Sequence, residues 1–160
     1  MSVLGKDVMV SPPAERQYES ASGKYRLTVR VPQNSRHATG EMRGAMGELL
    51  WSKALPQDQG PRFTLVANNG VTVFFDEFIT ITSRMAILLW DRTGKPLHQA
   101  GFQDVQRTLN MTLDRITAQA KFGVWMSEAP RLDAAQRHAT VRTGGKTLAV
   151  QLADGKLLAR

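Results

Sequence analysis

The sequence predicts an all-β domain built from repeated antiparallel sheet modules with one helix. Three observations carry that expectation. Glycine-bearing turns recur at a fixed offset: Ser22-Gly23 and Met46-Gly47 reappear 47 residues further on as Asn69-Gly70 and Thr93-Gly94. The segments that follow these turns alternate apolar and polar residues, or form short branched and aromatic runs, as strands do. One stretch alone changes to spacings of three and four. A chain of 160 residues is long enough to bury roughly 68–70% of its unfolded surface in one domain without disulfides.

Residues 1–15, with Pro12-Pro13 near their end, read as an extended arm or a peripheral strand. The first module covers 16–60. After a strand over Gln17 to Ser20, Tyr25, Leu27, Val29 and Val31 alternate with Lys24, Arg26, Thr28 and Arg30, giving a strand with one wet, basic face. Pro32 to Gly47 is polar and without clear period. It reads as a long loop with a weak strand at Glu41 to Arg43, which pairs with Glu48 to Leu55 across the turn Ala45-Met46-Gly47. Gln57 to Pro61 is a turn cluster that closes the module.

The second module, 61–101, holds strands at Phe63 to Ala67, Val71 to Phe75, Met85 to Asp91 and Pro96 to Ala100. Its apolar runs are nearly continuous, as expected of strands buried on both faces, so this module should be the structural centre. Asn69-Gly70 is a strong hairpin signal, because both central positions of a type I′ turn need positive φ. Phe102, Val105, Leu109, Leu113 and Ile116 form one apolar stripe at helical spacing and predict a helix over 103–118 inside a linker, 102–120. A third module, 121–160, follows. It reads as a strand at Lys121 to Met126, a loop at Ser127 to Ala135 and a meander of three short strands over His138 to Arg160. Gly144-Gly145 and Asp154-Gly155 repeat the turn pair in compressed form.

Twenty-one basic against fourteen acidic side chains give a charge of +7, which favours acidic partners through long-range attraction. The basic residues are scattered, which argues against nucleic acid as the partner. No apolar run approaches the ~20 residues of a membrane span. The segment Met1 to Val8 lacks the basic and apolar regions of a signal peptide. With no cysteine to indicate redox state, the expected compartment is the cytoplasm, or the periplasm if a leader has been removed.

The paired turns divide the chain into four-stranded units of ~40–45 residues, the size of a propeller blade. Ala86-Ile87-Leu88-Leu89-Trp90-Asp91-Arg92-Thr93-Gly94-Lys95-Pro96-Leu97 resembles the end of a blade in WD-repeat and related propellers. The likeness extends over residues 17–101 and more loosely over 121–160. It implies an open or incomplete β-propeller, since three units fall short of the usual four to eight, and the histidine element that begins a WD repeat is missing. Pro61 to Val66 through Phe75-Asp76-Glu77-Phe78, then Trp90-Asp91 and Phe102 to Val105, also resembles bacterial exported domains, among them the periplasmic immunity proteins that neutralise type VI secreted peptidoglycan amidases. That resemblance implies a protein that plugs an enzyme's cleft with a loop.

Catalysis needs a nucleophile, a base and an orienting group, or ligands at metal spacing. His37, His98 and His138 lie in no such local pattern, so no cofactor, metal or catalytic residue is assigned. The loop with Gln33, Asn34, Ser35, Arg36 and His37 sits 47 residues before 80–84, so the two connections should emerge on one side as a binding rim. Asp76 and Glu77 end the most apolar strand, where they cap the loop or meet a basic partner. Phe78, Ile79 and Ile81 either pack down or serve as anchors, with Ser83, Arg84 and Arg36 around them. Asp91 organises its own turn. The expected function is non-catalytic protein binding, an inhibitor or immunity protein that inserts a loop into a toxin or hydrolase. The alternative is an anionic polymer, polysaccharide or nucleic acid, held on a basic face of Lys24, Arg26 and Arg30.

Overall fold

The computed structural model describes residues 14–58, 60–76, 84–120 and 125–160. Among them the chain forms three four-stranded antiparallel sheets, each a simple meander, and none closes on itself. Sheet A comprises β1 (Glu15–Glu19), β2 (Arg26–Arg30), β3 (His37–Arg43) and β4 (Leu49–Asp58). Sheet B comprises β5 (Phe63–Val66), β6 (Thr72–Phe75), β7 (Ile87–Trp90) and β8 (Pro96–Ala100). After α1 (Phe102–Leu109) and α2 (Leu113–Gln119), sheet C is formed by β9 (Arg131–Leu132), β10 (His138–Thr143), β11 (Lys146–Gln151) and β12 (Leu157–Ala159). The all-β class with blade-like antiparallel modules is what the recurring turns predicted.

The repeat reaches beyond the turns. Pairing of β3 with β4 shifts register between Met42 and Arg43, and pairing of β7 with β8 shifts between Leu89 and Trp90. These two bulges lie at the same offset as the glycines, and the extra residue of each, Leu50 in β4 and Leu97 in β8, makes the fourth strand of sheets A and B bend at the same place.

Sheet B is buried on both sides, with every residue of β6 and β7 inaccessible. One face of it gives Val66, Phe74, Leu88 and Trp90 to a core shared with Leu27, Val29, Met42, Trp51 and Leu55 of sheet A. The other gives Val73, Phe75, Ile87 and Leu89 to a larger core with Val141, Leu148 and Val150 of sheet C and Phe102, Val105, Leu109 and Ile116 of the helices. The first core centres on Trp90, whose ring meets Trp51 edge-on at 5.4 Å and Phe74 at 5.1 Å. In the second, Trp125 lies edge-on to Phe102, donates Nε1–H to the Asp76 carbonyl at 2.8 Å, and accepts the Thr143 hydroxyl on its own carbonyl at 2.7 Å.

Four expectations need correction. The single helix over 103–118 is two helices. Asn110 adopts the left-handed conformation that closes α1, with φ 51°, and Thr112 caps α2 by accepting the Arg115 N–H on its side chain. Both helices face one core, so the apolar stripe runs on across the break. Trp125 and Met126 lie outside any strand, while Lys121 to Val124 fall outside the described residues. The supposed loop Ser127 to Ala135 contains β9. Finally, Gly144-Gly145 closes the middle hairpin of sheet C. The turn equivalent to Gly23 and Gly70 is at Gln136, a non-glycine residue with φ 59° that no search for glycine would find.

The long loop of the first module is also shorter than expected. β3 already begins at His37 and alternates strictly, with Ala38, Gly40 and Met42 turned inward. Ala and Gly give little apolar signal, but Gly40 has a packing role: a Cβ there would lie 2.9 Å from Trp51 Cζ3 and 3.1 Å from Leu55 Cδ2. Gly40→Ala should therefore lower stability by about 1–3 kcal/mol through overpacking alone, and Trp90→Ala by about 3–5 kcal/mol through loss of a buried indole. Denaturant unfolding with constant m-value checks both. A neutral Gly40→Ala would show that Trp51 is not seated on this strand.

Candidate functional site

The hairpin turns that begin the three sheets are linked to one another. The Ser22 N–H donates to Asn68 Oδ1 at 2.9 Å, and the Asn68 N–H donates to Gln136 Oε1 at 2.9 Å. These turns therefore share one end of the stack. Each meander reverses direction at every strand, so the turns closing β3–β4, β7–β8 and β11–β12 lie at this end too. The β2–β3 turn, the end of β6 and the start of β7 lie at the other.

At that other end stand the rim residues expected from sequence. Asn34, with φ 63°, and Ser35 form a tight turn in which the Ser35 N–H donates to the Pro32 carbonyl and Ser35 Oγ accepts the His37 N–H. Asn34, Arg36 and His37 are exposed, as is Arg84, whose carbonyl accepts from Gln99 Nε2. Asp76 is not a surface group: it is 4% exposed, held at the end of β6 where its backbone meets Ala86 and Trp125. Glu77, Phe78, Ile79 and Ser83 lie outside the described residues. The structure thus brings Asn34, Ser35, Arg36 and His37 into one turn and leaves Asp76 in the core.

The expected basic face is also different in kind. Across the outer face of sheet A, Glu15 stands opposite Arg30, and Glu19 opposite Arg26, which in turn faces Arg43; Glu41 takes the row between. Ion pairs connect Arg26 to Glu19 at 3.7 Å, Arg30 to Glu15 at 3.5 Å and to Glu41 at 3.4 Å, and Arg43 to Glu41 at 2.7 Å. Three arginines meet three glutamates, so this surface carries no net charge. Lys24 is not part of it.

Lys24 belongs instead to the turn end, where a cavity opens between sheets A and B. It measures about 430 Å³ and is lined by Lys24 and Tyr25 before β2, Gly44, Ala45, Glu48 and Leu50 around the β3–β4 turn, and Arg92 and Thr93 of the β7–β8 turn. Its wall depends on Gly70. A Cβ there would lie 2.8 Å from Tyr25 Cε1 and 2.6 Å from Arg92 Cβ, so the missing side chain lets these two groups close on each other. Beside the cavity the β3–β4 turn projects Met46, 89% exposed. The turn is braced from within: Gly44 N–H to the Glu48 carbonyl at 2.9 Å, Gly47 N–H to the Gly44 carbonyl at 3.0 Å, Arg43 Nη1 to the Gly47 carbonyl at 2.8 Å, and Met46 N–H to Glu48 Oε1 at 3.3 Å. Sequence reasoning passed over this site because its residues come from three separate segments and each segment alone reads as an ordinary hairpin end.

The histidines are dispersed. His37 opens β3, His98 lies under Gly155 where a Cβ would meet its ring, and His138 Nδ1 lies 3.1 Å from Asp133 Oδ2. Among the described residues no three His, Asp or Glu side chains gather as metal ligands, and no helix is long and apolar enough to cross a membrane. No family model, curated protein or solved structure matches this chain.

Asp91 holds the cavity wall by accepting from the Thr93 N–H at 2.8 Å, the Thr93 hydroxyl at 2.6 Å and the Lys95 N–H at 3.0 Å. Desolvation is the largest single influence on it and opposes ionisation. The Thr93 hydroxyl, the two N–H groups and the Lys95 charge outweigh it and hold the carboxyl below its ordinary value of 3.8. A folded-state value below the unfolded one means stability present above the unfolded value and lost as pH falls through the folded one. Asp91→Asn should thus be less stable than the native chain near neutrality, with the gap closing as pH falls from about 5 to about 2. Thermal melts across that range read it, and a pH-independent gap would contradict the ionic origin.

Proposed function

We propose that this chain is a non-catalytic protein-binding module, an inhibitor or immunity protein that blocks a bacterial toxin or hydrolase by inserting a loop. The observation that carries the proposal is the β3–β4 turn. A methionine that is 89% exposed stands at the tip of a turn that four hydrogen bonds already hold in place. Apolar anchors of this kind contribute most of the affinity at protein interfaces when they enter a partner's pocket, and a preorganised loop loses little entropy on insertion. Met is also among the residues enriched at such contacts. The inserted element in this proposal is Gly44 to Glu48, not the Asn34 to His37 turn.

The polymer alternative loses its main support, because the arginines of sheet A are neutralised by their cross-strand glutamates. The scattered positions of His37, His98 and His138 likewise favour binding over catalysis. The test is a photo-crosslinking amino acid at position 46 in the native host, with position 95 on the neighbouring turn as control. A single protein should crosslink at 46. Met46→Ser should then weaken that complex about 30-fold or more while leaving the melting temperature unchanged, as truncation of an exposed anchor would. Equal crosslinking from both positions, or undiminished affinity in Met46→Ser, would reject the proposal.

A further inference from the structure

The cavity beside Met46 has a chemistry of its own. Its lining is in part aromatic and aliphatic, from Tyr25, Leu50 and Ala45, and also carries two cations, Lys24 and Arg92. Among the described residues neither the Lys24 ammonium nor the Arg92 guanidinium engages a hydrogen bond or ion pair, whereas the arginines of sheet A's outer face are all matched by carboxylates. The single carboxylate on the lining, Glu48, is turned onto the backbone of its own turn, where it accepts from Met46 and packs over Gly44. Two uncommitted cations therefore face a cleft whose one anion is already used. The cavity falls within the ~300–1,000 Å³ of natural ligand sites, and an apolar lining with a few charged groups is their usual composition.

We infer that this cleft receives an acidic segment of the partner protein, with an apolar side chain laid on Tyr25 and Leu50 and a flanking carboxylate held between Lys24 and Arg92. Charge complementarity selects the occupant: a neutral apolar segment would leave both cations unmatched, and a basic one would be repelled. Arg92 comes from sheet B while Lys24 comes from sheet A, so the clamp exists only when the two sheets are packed. The inference rests on the protein-binding reading, deepens it by naming the partner's chemistry, and uses a different surface from the Met46 tip.

The probe is a blocked tripeptide, acetyl-Asp-Leu-Asp-amide, titrated into the isotopically labelled full chain and followed by amide chemical shifts. Shifts should centre on Lys24, Tyr25, Ala45, Arg92 and Thr93, with about millimolar affinity that weakens several-fold when salt is raised from about 0.02 to about 0.3 M. The analogue acetyl-Asn-Leu-Asn-amide should bind at least about tenfold more weakly, and so should the acidic peptide to a Lys24→Gln, Arg92→Gln variant, whose unchanged melt would show that it folds. Met46→Ser should leave peptide affinity within about twofold. That arm separates the two proposals: loss of the intact partner with peptide binding retained concerns the tip, and the converse concerns the cleft. Equal binding of the amide analogue, no binding at about 10 mM peptide, or shifts centred on Arg142 and Arg160 of sheet C would overturn the inference.

Discussion

The two central strands of sheet B have no wet face, and the rest of the molecule is arranged around that constraint. A four-stranded sheet with apolar side chains on both sides needs a cover on each. Sheet A supplies one, and sheet C with the two helices supplies the other. The consequence is asymmetric composition: β6 and β7 alternate nothing, while the strands of A use their second face for ion pairs. The Trp90 ring shows how closely the joint is made, since it contacts Trp51 and Phe74 edge-on and lies under the Lys53 ammonium at 4.9 Å. Lys53 then reaches across to the Gly94 carbonyl at 2.7 Å. One aromatic residue of β7 thereby ties both faces of the joint to the turn end.

The two joints are variations on one contact. Gly94 of sheet B lies over Trp51 of sheet A, and Gly155 of sheet C lies over His98 of sheet B, with Trp51 and His98 separated by the same 47-residue step. A glycine at the third turn is thus required twice, by positive φ and by a ring beneath it. The clefts beside the two joints differ because their fillings differ. Beside A and B the cleft keeps Tyr25 and Leu50 in its lining. Beside B and C the helix α1 intrudes, and the corresponding hollow, about 360 Å³, is lined by His98, Asp104, Arg107 and Lys156. The same repeat geometry gives one partly apolar, cation-bearing groove and one polar one.

What could be read from sequence follows from how local each cause is. Gly23, Gly47, Gly70 and Gly94 announced the repeat because left-handed backbone favours glycine strongly, and all four have φ between 73° and 86°. The buried centre was legible because apolar runs without alternation have few other uses. Gln136 and Asn110 escaped because polar residues can adopt the same conformation when the fold holds them there. β3 was hidden by Ala38 and Gly40, whose smallness serves Trp51 in the facing strand. The neutrality of sheet A's face is a matter of register: Arg26 and Arg30 look basic along β2, and only pairing with β1 and β3 brings Glu19, Glu15 and Glu41 beside them. The cleft is less local still, since Lys24, Leu50 and Arg92 meet only after two sheets pack.

Arg43 connects the charged face to the projecting turn. Its Nε bonds Glu41 at 2.7 Å while its Nη1 holds the Gly47 carbonyl at 2.8 Å. Glu41 is shared in turn with Arg30, and Arg30 with Glu15, so the guanidinium that braces the Met46 turn is itself fixed by a four-member ion network across β1, β2 and β3. A network member already ordered by one partner loses less freedom in making a second contact. The balanced charges of sheet A are accordingly better understood as a foundation for a stiff turn than as a landing surface for a polyanion. A stiff turn is what an exposed methionine needs if its burial in a partner is to appear as affinity and not be offset by the ordering of a loose loop.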